Sequence, residues 1–235
     1  MKVINFFKKS ALAVIVLTVM VSTVFFNGCN EDNPINPTGP FSYVMIVHAS
    51  PDAPNVDVIV NNTTVATNVP YLSNSQYLEL TPGTNRVRIN ATGTSVTVID
   101  TTTFYQENRY YSFFAADSRQ SIRPFITTDD LTSPGSTNAS IRFVHISPNT
   151  GQLDAGAVQK VQAWFPFYNY LQDPIFRPVT GGVYDLQLEL AGQPVQVALL
   201  PGQTIAAGSV YTMMAVGFTG AGGNQALKIK LIKNR

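Results

Sequence analysis

The chain contains two similar ten-residue stretches that share the pattern V-H-x-S-P, "MIVHASPDAP" at 45–54 and "RFVHISPNTG" at 142–151. Aligning His48 with His145 sets the two copies 97 residues apart, and the same offset carries Asp57 onto Asp154. Later blocks correspond after short shifts, since "TPGTNRVRIN" parallels "VTGGVYDLQLEL" and "NRYYSFFAADS" parallels "GSVYTMMAVGF". A repeat of this length indicates two structural units of about 90 residues each.

Apolar and polar residues alternate within each unit. In "NRVRIN", Val87 and Ile89 alternate with Arg86 and Arg88, and "DLQLELA" and "ALKIKLIK" follow the same pattern. A period of two predicts strands that bury one face. The turn sequences "VNNT", "TPGT", "ATGT" and "LAGQP" recur between these runs, as they do in antiparallel sandwiches.

These patterns predict an all-β chain of two tandem antiparallel β-sandwich domains. The first domain is predicted at 41–128 and the second at 139–235. The segment between them, "TTDDLTSPGSTN", is polar and interrupted by Pro134 and Gly135, which is typical of a domain boundary.

The N-terminal segment has the layout of a secretory signal peptide. Residues 1–28 begin with Lys2, Lys8 and Lys9 and continue in an apolar run from about residue 11 to 26. The run is shorter than the roughly 20 residues that a membrane-spanning helix needs. A signal peptide is therefore favoured, and an uncleaved N-terminal helix is the alternative.

The end of this segment, "FFNGC", resembles the lipobox of bacterial lipoproteins, in which a small residue precedes an obligatory cysteine. Gly28 and Cys29 fit the pattern, whereas Phe26 and Asn27 depart from it, and Cys29 is the single cysteine of the chain. We predict lipidation of Cys29 and a flexible tether over 29–40, against the alternative of a chance cysteine. The predicted location is the bacterial cell envelope, lipid-anchored at the outer membrane.

Composition narrows the class of protein further. Apolar residues make up 45% of the chain and charged residues 12%, which predicts a folded body. Loss of the three signal lysines leaves 12 basic residues against 14 acidic ones, a net charge of about −2, which argues against a nucleic-acid partner. No phosphate-binding, nucleophile-elbow or zinc-protease motif occurs, so no cofactor is predicted.

The first unit resembles a known family. Its stretch "VHASPDAPNVDVIVNNTTVATNVPY", followed by "YLELTPGTNRVRI", is similar to the domain of unknown function family numbered 4397. The resemblance is close over about residues 42–116, and the second half keeps His145, Ser147, Pro148 and Asp154 of the motif. The resemblance implies an immunoglobulin-like or similar sandwich in an envelope setting, and it implies no chemistry.

His48 and His145 are the only histidines and could suggest a repeated metal or catalytic site. A metal would need further ligands, and neither a second histidine nor a cysteine lies nearby in either repeat. The favoured interpretation is structural: each histidine ends the first strand of its unit and hydrogen-bonds the turn that follows.

Asp52, Asn55 and Asp57 are close enough in sequence to suggest a calcium loop. The second unit has Asn149 and Gln152 in place of the first two, and turn chemistry explains the same residues. We therefore predict no metal site.

An aromatic stretch at 161–176, "VQAWFPFYNYLQDPIF", has no counterpart in the first unit. Exposed rings offer a large contact area for sugars or protein partners at little entropic cost. The alternative is that these rings fill the core or seal the two units together. The candidate ligand-binding residues are Trp164, Phe165, Phe167, Tyr168 and Tyr170.

Together these features predict a non-catalytic binding or adhesion lipoprotein of the envelope. Its partners would be the membrane, through the lipid on Cys29, and a glycan or an envelope protein. A structural or assembly component of the envelope is the alternative, and a glycan-processing hydrolase is a third class.

Lipidation is tested by labelling cells with radioactive palmitate and fractionating the envelope. We expect label on the wild-type chain and none on Cys29→Ala, because the modified atom is the cysteine sulfur. An unlabelled wild-type chain would contradict the lipoprotein assignment and favour free secretion or an uncleaved N-terminal helix.

Overall fold

The computed structural model describes residues 40–158 and 162–235. The predicted signal peptide and all of the tether except Pro40 lie outside these residues. No helix in the described ranges has the length and hydropathy of a membrane span. The described elements are β1 (Ser42–His48), β2 (Val56–Val60), β3 (Thr63–Val69), β4 (Leu78–Leu80), β5 (Gly83–Ala91), β6 (Thr97–Tyr105), β7 (Tyr110–Ala116), β8 (Arg123–Asp129), β9 (Asn138–His145), β10 (Leu153–Ala157), β11 (Phe165–Tyr168), β12 (Phe176–Thr180), β13 (Gly182–Leu190), β14 (Gln196–Ile205), β15 (Val210–Val216), a 3₁₀ turn (Gly223–Gln225) and β16 (Lys228–Lys233).

The strands form four sheets of four strands each. In the first sandwich, β4-β1-β7-β8 make the inner sheet and β3-β2-β5-β6 make the outer sheet. In the second sandwich, β12-β9-β15-β16 make the inner sheet and β11-β10-β13-β14 make the outer sheet. The predicted fold class, an all-β chain with two sandwich units, is confirmed.

The outer sheets follow the alternating pattern of the sequence. Val87 and Ile89 of β5 are fully buried, whereas Arg86 is exposed and Arg88 is half-buried. The hairpin between β2 and β3 turns at Asn61 and Asn62, whose φ angles of 48° and 66° give the type I′ geometry that suits a two-residue hairpin loop. Local sequence therefore explains these strands and their turn.

The inner sheets are buried on both faces. Every residue of β1, β7 and β15 is buried, so the expectation of one buried face is wrong for these strands. One face packs on the outer sheet of its own unit, and the other packs on the inner sheet of the second unit. The cluster between the two inner sheets includes Val47, Phe114, Val144 and Met214.

The result is four layers of sheet in one compact unit that contains all the described residues. The order is outer sheet, inner sheet, inner sheet and outer sheet. Strands that are covered on both sides are apolar at most positions, and the polar residues among them must be hydrogen-bonded.

One strand pairing in each unit differs from the predicted antiparallel arrangement. β1 pairs in parallel with β7, bringing His48 opposite Ala115, and β9 pairs in parallel with β15, bringing His145 opposite Ala215. Between these paired strands the chain crosses to the outer sheet and comes back to the inner sheet. Two strands that are far apart in sequence and run in the same direction can therefore lie side by side.

Each unit also contains the same tyrosine contact. The backbone N–H of Gln106 donates to the hydroxyl oxygen of Tyr111, and that of Ala206 donates to the hydroxyl oxygen of Tyr211, both at 3.0 Å. Tyrosine corners of Greek-key sandwiches make a similar bond to the backbone a few residues upstream. The two units therefore share local structure as well as strand order.

A buried ion pair joins the two inner sheets. Nη1 of Arg142 on β9 lies 2.7 Å from Oδ1 of Asp129 on β8, and both side chains are fully buried. The guanidinium also donates to the hydroxyls of Thr127, Ser112 and Thr212, each at 2.9 Å. A buried charge costs several kcal/mol unless it is paired and hydrogen-bonded, and here it is both.

The carboxylate of Asp129 receives further hydrogen bonds. The hydroxyls of Tyr77 and Ser112 donate to its Oδ2, and the amide of Asn234 donates to the Tyr77 oxygen at 3.0 Å. Burial, reinforced by the Asp129 charge, raises the pKa of Tyr77, so its hydroxyl stays protonated and remains a donor. The network thus combines donors and acceptors from both sandwiches.

The repeat itself supplies a test of this ion pair, because the position equivalent to Arg142 is Met45 and the position equivalent to Asp129 is Asn234. We expect Arg142→Met alone to lower the free energy of unfolding by about 3–5 kcal/mol, since it leaves Asp129 buried without its cation. The double variant Arg142→Met/Asp129→Asn should recover most of this loss. Chemical denaturation of the four proteins of this cycle measures the coupling, and strictly additive effects would contradict it.

Candidate functional site

His48 and His145 lie at equivalent positions at the ends of β1 and β9, and both are fully buried. Nε2 of His48 is 3.0 Å from the carbonyl oxygen of Pro54, and Nε2 of His145 is 2.9 Å from that of Gly151. Nδ1 of each ring accepts the backbone N–H of the serine two positions later, at 3.4 Å. Each histidine therefore ties the strand end to the following turn, as predicted.

These contacts define the protonation state of both rings. A carbonyl oxygen can only accept, so Nε2 carries the proton, and Nδ1 accepts and is unprotonated. Burial lowers the pKa of both histidines, although their carbonyl contacts oppose the change. The edges of Tyr71 and Tyr170 pack against the two rings. Neither imidazole has a nitrogen left to bind a metal or a substrate.

The residues considered for a calcium loop are engaged in turns. Oδ1 of Asp52 accepts the N–H of Arg119 at 2.7 Å, and in the second unit Oδ1 of Asn149 accepts the N–H of Thr219 at 2.9 Å. The side-chain amide of Asn55 bonds to another side chain, not to a cation site. Over residues 40–158 and 162–235 no group of three or more histidine, cysteine or acidic side chains is arranged to hold a metal ion.

Asp57 and Asp154 act as equivalent clamps at one end of the outer sheets. Oδ1 of Asp57 accepts the N–H of Asn68 at 2.8 Å and the hydroxyl of Thr92 at 2.9 Å. These two hydrogen bonds hold the pKa of Asp57 below its usual range. In the second unit, Asp154 accepts the N–H of Phe167 at 2.7 Å and of Gly192 at 2.9 Å.

The structure separates the rings of the aromatic stretch. Phe165 and Tyr168 are buried in the core of the second sandwich, as the core alternative describes. Trp164 is half-buried against that core and meets Tyr184 edge to face. Tyr170 lies beside His145. These four rings do not form one exposed patch.

Trp164 reaches its place because Gly156 has no side chain. A Cβ on Gly156 would lie 2.9 Å from the backbone nitrogen of Trp164, which is closer than side chains approach. The equivalent residue of the first unit is Ile59, which carries a branched side chain at that position. A single glycine therefore lets the aromatic segment lie over the second outer sheet.

Phe167 is the one candidate ring that is exposed, with 57% of its surface accessible. Its φ of 54° places it in the left-handed region, which costs a residue with a Cβ roughly 1–2 kcal/mol. Its N–H bonds to Asp154, and its ring lies against the turn at Gly192, where an added Cβ would be 3.2 Å from the ring. Phe167 is thus held outward by its backbone.

A feature that the sequence interpretation missed is a cavity in the first sandwich. It measures about 240 Å³ and lies between β3 and residues 70–75, with Ile46 and Val58 among its apolar walls. The repeat could have revealed it, because the small residues Ala66 and Val69 of the first unit stand where the second unit has large rings.

A polar groove runs beside the segment between the two sandwiches, with a volume of about 720 Å³. Its lining includes two carboxylates, Asp129 and Asp130. Asp129 is occupied by Arg142, and Asp130 accepts the N–H of Thr132 at 2.9 Å. Each of the two acids is therefore bonded to a different group of the protein.

The family comparison confirms the predicted resemblance. The model of the family Domain of unknown function (DUF4397) matches residues 42–156, which include all strands of the first sandwich. Among solved structures, the chain is similar to a Bacteroides fragilis protein provisionally named as a cell adhesion protein, with 11% identity and a TM-score of 0.21. That alignment covers 81% of this chain and 97% of the other. No curated protein matches the chain.

The histidines predict a pH dependence of stability. The unfolded chain takes up protons near the ordinary histidine pKa of 6.5, whereas the folded chain, with lowered pKa values, takes them up only at lower pH. The unfolded state therefore binds more protons, and the free energy of unfolding should fall as pH drops from about 7 to 5. The slope should reach at most about 1.4 kcal/mol per pH unit for each histidine.

Urea denaturation at a series of pH values measures this slope. His48→Gln and His145→Gln should each remove about half of it, whatever their effect on stability at pH 8. A slope that stays unchanged in both variants would contradict the assignment of buried, neutral histidines.

Proposed function

We propose that the protein is a non-catalytic binding or adhesion lipoprotein of the bacterial envelope. In this proposal Cys29 carries the lipid at the outer membrane, and residues 30–40 connect it to the two sandwiches. The end of the second sandwich that carries Phe167 contacts a glycan or an envelope protein. The match of residues 42–156 to a family of unknown function is compatible with this proposal and supplies no reaction.

The observation that carries the proposal is the exposed, strained position of Phe167. Backbone strain persists only where the surroundings enforce it, and it often occurs at functional positions. Burial does not compensate the strain here, because more than half of the surface of Phe167 is accessible. A ring that is kept in water at an energetic cost is a candidate contact for a partner.

The first unit shows that the fold does not require an aromatic residue there. Asn68 occupies the equivalent position with a φ of 53°, and its N–H makes the same bond to an aspartate, Asp57. Asparagine tolerates the left-handed region far better than phenylalanine does. The fold is thus satisfied by a polar residue, and the phenyl ring of the second unit serves another purpose.

The surroundings of Phe167 suit a sugar or a flat protein surface. The ring lies on Gly192, and the same turn carries Val195 with 45% of its surface accessible. The carboxylate of Asp154 lies next to this apolar surface, where it accepts the N–H groups of Phe167 and Gly192. Sugars stack an apolar face on such rings while their hydroxyls bond to polar neighbours.

The alternative role is that of a structural or assembly component of the envelope. The buried pair of Arg142 and Asp129 favours it, because this pair holds both sandwiches as one body and a rigid spacer needs such a joint. The hydrolase alternative has weaker support, since the carboxylates of the polar groove bind other groups.

Phe167→Asn tests the binding role, because it installs the residue that the first unit uses. We expect this variant to keep or raise the free energy of unfolding, by up to about 1 kcal/mol, since left-handed strain is relieved. It should lose retention by envelope polysaccharides in affinity electrophoresis and co-sedimentation with peptidoglycan. Phe104→Asn is the matched control, since Phe104 is also an exposed phenylalanine, with 65% of its surface accessible, but lies on β6 of the first unit.

Retention that falls equally in both variants would show nonspecific apolar adsorption and contradict a role for Phe167. Retention that is unchanged in Phe167→Asn would contradict it as well. If the wild-type chain is not retained by any of these glycans, the glycan partner is wrong.

A further inference from the structure

We infer that the cavity of the first sandwich is a binding site for a single phenol ring. The cavity lies in the first unit, whereas Phe167 lies in the second. The inference therefore does not rest on the function proposed above. The second sandwich shows what fills the same position when this chain supplies its own occupant.

The strand registers establish which positions are equivalent. Val58 pairs with Ala66 in the first unit, and the corresponding Ala155 pairs with Phe165 in the second. Two residues earlier on β2 and β10, Val56 pairs with Val69, and the corresponding Leu153 pairs with Tyr168. Ala66 and Val69 line the cavity.

A second set of contacts confirms this alignment next to the cavity. The N–H of Leu72 donates to the carbonyl of His48, and the N–H of Leu171 donates to the carbonyl of His145. Residues 73–75, which border the cavity, therefore correspond to residues 172–174.

In the second unit two rings fill this space. Phe165 and Tyr168 retain 0% and 3% of their accessible surface, and their ring centres are 6.0 Å apart. Both also pack against Phe143, which stands at the position of Ile46. The first unit has the same frame with smaller side chains, and the cavity is the space left by the missing rings.

The position of the Tyr168 hydroxyl specifies a phenol and not a plain hydrocarbon ring. This hydroxyl donates to the carbonyl of Asp173 and accepts the N–H of Ile175, both at 3.2 Å. The equivalent segment of the first unit is residues 74–76, of which Asn74 and Ser75 belong to the polar border of the cavity. A phenol that enters with its ring between Ile46 and Val58 brings its hydroxyl to this border.

The size of the cavity agrees with one ring. An enclosed apolar cavity of about 150 Å³ takes up benzene, and this cavity, which is partly open to solvent, measures about 240 Å³ and has room for a substituted ring. The apolar walls lose dispersion contacts while the space holds no ring, and a ligand of matching shape restores them.

The experiment uses p-cresol, the side-chain analogue of tyrosine, and the full 235-residue chain. Methyl NMR of Ile46 and Val58 reports binding at the cavity itself. Any p-cresol that partitions into detergent does not shift these methyl signals. We expect saturable shifts of these methyl groups in the wild-type chain. Cyclohexanol, which is close in size but not aromatic, should bind at least about tenfold more weakly than p-cresol.

The second unit supplies the blocking variant, Ala66→Phe/Val69→Tyr. It should weaken p-cresol binding by at least about tenfold, because the introduced rings occupy the site. Val69→Tyr alone is a second, smaller change that keeps the test valid if the double variant does not fold. Thr64→Phe is the matched control, since it adds a ring at an exposed position of the same strand and should leave binding unchanged.

A short tyrosine peptide distinguishes the source of the ring. If p-cresol binds and the peptide does not, the ligand is a free small phenol; if both bind, or if the peptide alone does, a tyrosine side chain of a partner fits. The proposal is overturned if neither compound shifts the methyl groups, if the blocked variants bind as the wild-type chain does, or if cyclohexanol binds equally well.

Discussion

The charge of Arg142 in the middle of the molecule is the constraint on which the four-layer arrangement depends. A guanidinium buried between two sheets is tolerated only when its charge is paired and its N–H groups find acceptors. Those acceptors come from both sandwiches, with Asp129, Thr127 and Ser112 on one side and Thr212 on the other. Any sliding of one inner sheet over the other would leave the charge unpaired.

The polar network therefore specifies how the two sandwiches meet, while the apolar cluster around Val47, Phe114 and Met214 supplies the buried area. Apolar contacts alone permit several registers, because they are not directional. A buried ion pair whose neighbours are hydrogen-bonded permits only one register. The structural consequence is that two units of one repeat act as one body with two different ends.

Those ends differ through few residues within a common frame. The histidine–turn contacts, the tyrosine corners and the aspartate clamps have the same geometry in both units. Against this frame, Asn68 becomes Phe167 at the exposed clamp, and Ala66 becomes Phe165 in the core. The first change adds a ring to the surface, and the second closes a cavity, so the two units present different binding possibilities from one fold.

The sequence by itself determined the repeat, the all-β class and the outer strands, because alternation of apolar and polar residues is a local property of a strand with one exposed face. It also determined the role of His48 and His145, since a histidine at a strand end followed by a proline-containing turn has its partners close in sequence. Tertiary structure alone decided the burial of both faces of β1 and β7, the parallel pairing of β1 with β7, and the division of the aromatic stretch into buried Phe165 and exposed Phe167. Each of these three features depends on a sheet or strand whose residues are far away in the chain. A local sequence pattern does not contain the information about which distant surface covers a given face.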